Sequence, residues 1–398
     1  MTRVRRYGTL LLAASAMATV ACGGTSQPKT NATVTPSSAQ NVAQISVNGG
    51  PNNDYANGVF VSVTVCVPSS STCDTVPNVL VDTGSSGLRI LSSALTVSLP
   101  QQNGSSGPVA ECLPFVSGFT WGPVETADVQ IAGERASGIA VQVIDESKFP
   151  VPTRCSNNGA SMDTLQSLGA NGLLGVGLAA ADCGPDCALT GNSNPGLYYQ
   201  CPSSGCAVSA EPVAQQVINP VAAFASDNNG VIVQLPAEGG SAPTLTGSLV
   251  FGIGTQSNNG LNGARVYGVD NYGNITTVYK GVSYSSSFID SGSNGYFFLD
   301  QAQSGIADCT TATGFYCPAS TENFSATNQG TNGASGVVNF SVANAETLFK
   351  TNNDFVFADL AGPGQDFDWG LPFFFGRNVY VAIEGKSTPS GTGPFWAY

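Results

Sequence analysis

Short apolar runs rich in β-branched residues recur along the chain, at Val59–Val65, Ala127–Ile131, Ile139–Ile144, Val231–Leu235, Leu249–Gly252 and Val379–Ile383. None extends into a long stretch with apolar residues at every third and fourth position, so the pattern predicts strands rather than amphipathic helices. Turn clusters such as Gln256–Gly260 and Asp270–Asn274 separate some of the runs. A few short helices are expected, one of them near Pro212–Ala225. The expected class is all-β, and about 350 folded residues exceed what one core organises, which predicts two β lobes.

Two segments inside this pattern are near-copies. Val79-Leu80-Val81-Asp82-Thr83-Gly84-Ser85-Ser86-Gly87-Leu88 and Ser287-Phe288-Ile289-Asp290-Ser291-Gly292-Ser293-Asn294-Gly295-Tyr296 each run apolar, then Asp-[Thr/Ser]-Gly-Ser, then on through a Gly to apolar residues. Long-range repetition suggests two copies of one structural unit, each delivering one carboxylate. Two carboxylates suffice to activate a water molecule without a metal. The chain contains no His, which excludes Ser-His-Asp and Cys-His devices and every His-containing zinc site. Acid–base work then falls to carboxylates.

Residues 1–21 read as a signal peptide: Arg3, Arg5 and Arg6, then the apolar Leu10–Leu12 stretch and small residues. The leader closes on Thr19-Val20-Ala21-Cys22, which resembles a bacterial lipobox and makes Cys22 the expected lipidation site. Gly23 follows, not Asp, so retention in the inner membrane is not signalled. The expectation is an exported bacterial lipoprotein at the outer membrane or the periplasmic face of the envelope. Residues 22–44, rich in Ser, Thr, Pro and Asn, read as a flexible tether. The N-terminal lobe is expected over 45–210, with the first Asp motif and a flap, and the C-terminal lobe over 211–398, with the second.

Loss of the leader removes three of 13 basic residues and none of 26 acidic ones, leaving 10 against 26 and a formal charge of −16. Such a body is a poor partner for nucleic acid or anionic lipid. Of eleven cysteines, ten remain beyond Cys22, an even number suited to disulfides in an oxidising compartment. Cys66–Cys73, Cys183–Cys187, Cys201–Cys206 and Cys309–Cys317 are near enough to staple local loops, which leaves Cys112 with Cys155. Other pairings within the Cys183–Cys206 cluster stay open. No metal site and no cofactor is expected.

Three further features accompany the Asp repeat. Asn171-Gly172-Leu173-Leu174-Gly175-Val176-Gly177 lies downstream of the first copy, and Trp369-Gly370-Leu371-Pro372 through Tyr380 downstream of the second. Leu249-Val250-Phe251-Gly252-Ile253-Gly254 lies between the lobes. With these in order, the chain from about Gln44 onward resembles the pepsin-type, two-lobed aspartic peptidases. The whole chain also resembles an uncharacterised family of exported bacterial lipoproteins of unknown function. The first resemblance implies that Asp82 and Asp290 form a catalytic dyad sharing one proton. It also implies that Gly84 and Gly292 let backbone N–H groups approach the carboxylates. Thr83 and Ser291 would hydrogen-bond across a pseudo-twofold axis, and Ser85 and Ser293 would bond the outer carboxylate oxygens. Trp121, followed by Gly122, stands where the family carries the tyrosine of its flap, with an ordinary core tryptophan as the competing reading.

Departures from the pattern set further expectations. Arg89 replaces a large apolar residue and is expected either at the surface or beside the dyad, where it would make the carboxyls more acidic. Pro372 stands where a Gly is expected, which puts the strand beside Asp290 in question. Phe251, Gly252 and Phe373–Phe375 read as structural. Only Lys29 is basic between Cys22 and the first strand, so no inhibitory basic propeptide is expected. The expected function is aspartic endopeptidase, with a peptide or protein in the interlobe cleft, a lipid anchor on Cys22 and a monomeric body. The alternative is a catalytically inactive binding or structural lipoprotein on the same fold. A two-carboxylate carbohydrate hydrolase has no motif in its favour.

Overall fold

The computed structural model describes residues 34–351 and 353–398; the expected signal peptide, Cys22 and the expected tether as far as residue 33 lie outside the described residues. The period-two pattern becomes strands in the expected way. In β2 (Gly58–Cys66), Val59, Val61, Val63 and Val65 all enter the main core. Phe60 turns instead to a second cluster with Leu80, Leu91 and Leu173, and Ser62 is left exposed.

One sheet of fifteen strands runs through both halves of the chain. Its first half contains β1 (Val42–Asn48), β2, β3 (Cys73–Asp82), β4 (Ser86–Leu91), β5 (Val109–Phe115), β6 (Gly118–Ile131), β7 (Glu134–Ile144) and β8 (Gly172–Val176). At β1 the sheet crosses into the second half: Val42–Val47 pair antiparallel with Val250–Leu245. It continues through Gly230–Leu235, Arg377–Ala382, Phe395–Ala397 and Val266–Gly268. A second sheet of seven strands, including Val282–Ile289, Tyr296–Phe298 and Phe367–Trp369, builds the body around the second Asp motif.

The two motifs occupy the same topological position. β3 runs parallel to β8, with Asp82 opposite Gly175, and β8 is flanked antiparallel by β4. Val282–Ile289 runs parallel to Phe367–Trp369, which is flanked antiparallel by Tyr296–Phe298. The core around each motif differs in chemistry. The first is mainly Val, Leu and Ile, whereas the second is centred on Trp369, with Phe367 stacked at 5.4 Å and Phe340 and Tyr296 edge-on at 5.3 and 5.8 Å. Phe373, Phe374 and Phe375 are buried there too.

The helix expected near Pro212–Ala225 is absent. Two 3₁₀ turns, Val213–Gln215 and Pro220–Ala223, stand in its place. Pro220 cannot donate a helical hydrogen bond, and Asn219 caps the second turn by accepting from the N–H of Val221. The disulfides are Cys66–Cys73, Cys112–Cys155, Cys183–Cys187, Cys201–Cys206 and Cys309–Cys317. Cys112–Cys155 closes the longest loop, 43 residues. Its removal is expected to cost about 4 kcal/mol on loop entropy, against less for the short staples; chemical denaturation of a Cys112→Ala/Cys155→Ala protein measures it.

Candidate active site

β3 carries the chain to Asp82 and stops, because the Thr83–Ser85 turn folds back toward β4. Val282–Ile289 does the same for Asp290. In each loop the glycine two residues on donates its N–H to the aspartate's Oδ1: Gly84 to Asp82 at 2.8 Å and Gly292 to Asp290 at 2.7 Å. Each loop's serine hydroxyl donates to Oδ2, Ser85 to Asp82 by a short bond and Ser293 to Asp290 at 3.0 Å.

The two loops are tied to each other. The N–H of Thr83 donates to Ser291 Oγ at 3.1 Å, and the N–H of Ser291 donates to Thr83 Oγ1 at 2.9 Å. The hydroxyls in turn donate across the junction, Thr83 to the carbonyl of Ile289 at 3.3 Å and Ser291 to that of Val81 at 2.7 Å. Every polar atom of this reciprocal clasp is buried and used, which makes it rigid. It sets the two carboxyl groups side by side, so that a single added Cβ on Gly292 would lie 2.8 Å from Asp82 Oδ1 and 3.1 Å from Asp290 Oδ1.

Glycine is required in both loops by space. A Cβ on Gly84 would lie 2.7 Å from the carboxyl carbon of Asp290, and one on Gly292 would lie 2.8 Å from Asp82 Oδ1. Gly84→Ala is therefore expected to push the carboxyls apart at a cost of about 1–3 kcal/mol and to remove whatever activity depends on the pair. Thermal melts and peptide cleavage assays check both effects.

Asp82 is buried and Asp290 partly so. Withdrawal from water, followed by the charge of Asp82 and a hydrogen bond with it, pushes the Asp290 carboxyl up to about 8. The pair thus holds a proton well above the usual carboxylate range. Tyr55, in the β1–β2 loop, registers the same field: burial and then the charges of Asp290 and Asp82 push its phenol up to about 12. That loop is stitched to the second lobe beside the motif. Asn57 donates to the carbonyls of Asn294 at 2.8 Å and Phe357 at 2.9 Å, and accepts from the N–H of Phe357 at 2.7 Å. A cavity of about 520 Å³ opens there, lined by Tyr55, Asn294, Phe315, Phe349 and Phe355 among others.

Three expectations need correction. Pro372 does not sit in the strand beside Asp290. The pairing of Ile289 with Trp369 and the bond from the N–H of Asp290 to the carbonyl of Trp369 put Gly370 opposite the motif, as Gly175 is opposite Asp82. A Cβ on Gly370 would lie 2.1 Å from the carbonyl oxygen of Gly295. Pro372 follows in a 3₁₀ turn, where its lack of an N–H costs nothing. The same register reveals a different departure: Asp368 lies opposite Phe288, where the first lobe sets Leu173 opposite Leu80. Asp368 Oδ2 lies 2.6 Å from Ser293 Oγ.

Arg89 is neither on the surface nor paired with the dyad. It is wholly buried, with Nη2 2.6 Å from Glu111 and 2.9 Å from Asp182, and Nη1 donating to the carbonyl of Ser86 at 2.9 Å. Tyr198 donates to Asp182. Burial works against the guanidinium charge, but Glu111 and Asp182 more than offset it and raise its pKa. Asp182 is pushed far above the usual carboxyl range by burial and by Glu111, with Arg89 only partly opposing.

Trp121 does not cover the cleft. The β5–β6 hairpin turns at Val116–Ser117, and the register pairs Trp121 with Cys112, inside the strands. Its side chain is fully buried against Tyr199 and the Cys112–Cys155 disulfide, and its N–H donates to the carbonyl of Phe149 at 2.9 Å. A Cβ on Gly122 would meet the carbonyl oxygen of Val143 at 1.9 Å, so Gly122 serves packing. The residue at the hairpin tip is Val116, which is completely exposed.

Sequence reasoning missed Tyr55, Asn57, Asp368 and the partners of Arg89. The Asp368 signal was present: aligning Trp369-Gly370 with Leu174-Gly175 exposes an acid in a leucine's place. Among the described residues, the group with a metal ligand's spacing is Cys309, Cys317 and Glu346. Both cysteines are spent in a disulfide, which leaves no thiolates to bind an ion.

No match was found among the curated proteins. Among solved structures, the chain is similar to the aspartic proteinase from Irpex lacteus, with 14% sequence identity, a TM-score of 0.54, and coverage of 89% of this chain and 96% of that one. At this identity the likeness concerns the fold, and the fold is the bilobal, all-β, pepsin-like arrangement. The model of the family described as "Protein of unknown function (DUF3443)" matches residues 37–398, and the chain belongs to that family.

Proposed function

We propose that the protein is an aspartic endopeptidase that hydrolyses peptide bonds with Asp82, Asp290 and an activated water. The observation that carries this reading is the buried clasp of Thr83 and Ser291, which holds two carboxyl groups from two lobes close beside each other. Two such groups cannot both ionise cheaply, so the pair carries one proton and one charge over a wide pH range. The ionised partner takes a proton from water as the water attacks, while the neutral partner hydrogen-bonds the carbonyl oxygen and stabilises its developing charge. Protonation of the leaving nitrogen then returns the pair to its starting state. The cavity beside Asn294 offers an adjoining place for a substrate side chain, with four phenylalanines on its walls.

Digestion of a peptide library from acid to neutral pH, beside an Asp82→Asn control, tests the reading. Cleavage by the wild-type protein alone, blocked by a statine-type mimic of the tetrahedral intermediate, supports it. Well-folded protein that cleaves nothing yet binds the statine would instead favour the inactive binding lipoprotein.

We also propose that the body is anchored to the cell envelope through a lipid on Cys22. Labelling with a fatty-acid analogue is expected to mark the wild-type protein in the membrane fraction and to vanish in Cys22→Ser. A soluble, unlabelled wild-type product would end this proposal.

A further inference from the structure

Ser293 Oγ lies between two carboxyl groups, 3.0 Å from Asp290 Oδ2 and 2.6 Å from Asp368 Oδ2. A hydroxyl owns one hydrogen. It cannot serve two carboxylates at once, so one of the two contacts needs a proton supplied by a carboxyl group. The Asp368 side is the better donor candidate on two geometric grounds. Its contact is the shorter and falls in the range of a strong O–H···O bond. Asp368 Oδ1 is buried without a hydrogen-bond partner, a position that a neutral acid tolerates far better than a carboxylate.

The surroundings agree. The charged groups acting on Asp368 are Asp290 and Asp82, both acids. The flanking strands Val282–Ile289 and Tyr296–Phe298 offer only Tyr284 and Tyr296 as titratable groups, and neither strand carries a Lys or Arg. Burial first, and then the charge of Asp290, hold the Asp368 carboxyl well above the ordinary aspartate range. The first lobe has no counterpart, since Leu173 fills the equivalent register position.

Resting on the reading of Asp82 and Asp290 as a working dyad, we propose that Asp368 is a positioning residue for it: its neutral carboxyl donates to Ser293, and this turns the single Ser293 hydrogen onto Asp290 Oδ2. The relay Asp368→Ser293→Asp290 stabilises negative charge on the dyad from the second-lobe side. It makes the two halves of a nearly symmetric site unequal. No proton needs to leave Asp368 during turnover; its hydrogen fixes a direction.

The sign of a pH shift tests this. Losing the donor makes the dyad's first ionisation harder, so Asp368→Leu should move the acid limb of the kcat/KM profile upward by about one pH unit, the worth of one hydrogen bond. Asp368→Asn, whose amide N–H₂ can still donate to Ser293, should keep the limb near the wild-type position and exceed Asp368→Leu about tenfold in kcat/KM at acid pH. If Asp368 were instead an ionised neighbour, both substitutions would remove a negative charge and move the limb downward. A downward shift in both variants, or an unmoved limb in Asp368→Leu, overturns the proposal.

Carboxyl carbon NMR titration of aspartate-labelled wild type and both variants gives the same signs without any substrate. Protein that cleaves no peptide but shows the upward shift of the dyad in Asp368→Leu keeps the relay and removes only the endopeptidase reading. Asp368 found ionised in mildly acid buffer removes the relay whether or not the protein cleaves.

Discussion

Asp82→Asn and Asp290→Asn should each lower peptide cleavage by about 10²–10⁴-fold or more, because each removes one half of the acid–base pair. Neither should weaken the fold near neutral pH, and Asp290→Asn should strengthen it. In the unfolded chain Asp290 ionises in the ordinary aspartate range, whereas in the folded protein burial and then Asp82 hold it protonated up to about 8. The stability associated with that proton is complete below the ordinary range and drains away as the pH climbs toward about 8. Asparagine never ionises and escapes this loss. The melting temperature of Asp290→Asn should therefore match wild type in strong acid and exceed it near neutral pH. Wild-type cleavage should follow a bell in pH, falling in acid as the pair gains its second proton and falling again as the pair loses its remaining one. Cleavage that survives either substitution would end the dyad mechanism, and parallel melting curves at all pH values would contradict the electrostatic account.

The largest loss of stability is expected from Arg89→Met. The substitution leaves Glu111 and Asp182 buried with no cation, and breaking such a set on one side costs about 3–5 kcal/mol. Melting should fall on the order of 10 °C, and the loss should grow with pH as the orphaned Asp182 is forced to hold its proton. Removing all three charges together, as Arg89→Met with Glu111→Leu and Asp182→Leu, should recover most of it, since the cost lies in the orphaned carboxyls. Catalysis should suffer more than stability alone explains. Arg89 also holds the carbonyl of Ser86 at 2.9 Å, and Ser86 hydroxyl holds the carbonyl of Ala179, which fixes the chain just beyond the first motif. Comparison of kcat and melting in the single and triple variants separates the two effects.

The features legible in the sequence are those written in neighbouring residues. Asp82-Thr83-Gly84-Ser85 and Asp290-Ser291-Gly292-Ser293 announce themselves because the loop that presents a carboxylate needs its glycine and its hydroxyls within three positions. The strands were legible for a similar reason, as Val59, Val61, Val63 and Val65 show one face every second residue. What stayed hidden depends on partners far along the chain. Arg89 looked like an exposed cation until Glu111 and Asp182, 22 and 93 residues away, were seen against it. Trp121 looked like a cleft cover until the hairpin register placed it opposite Cys112. The acid at Asp368 is visible in the sequence, but its meaning lies in the pairing with Phe288, which only the strand register supplies.

The sheet that joins the lobes sets an order of events for a newly made chain. The disulfides close loops of 4 to 43 residues, while Val42–Val47 must find Leu245–Val250, and Thr83 must find Ser291 across 208 residues. The entropy of closing a loop rises with its length, and contacts between distant segments form slowly. Local staples and hairpins can therefore form while much of the chain is still arriving, whereas the two aspartates meet only when both lobes stand complete. A half-made chain carries one carboxylate loop and no pair. Whatever chemistry the pair performs is withheld by topology until the chain's own vulnerable, unfolded stage is over.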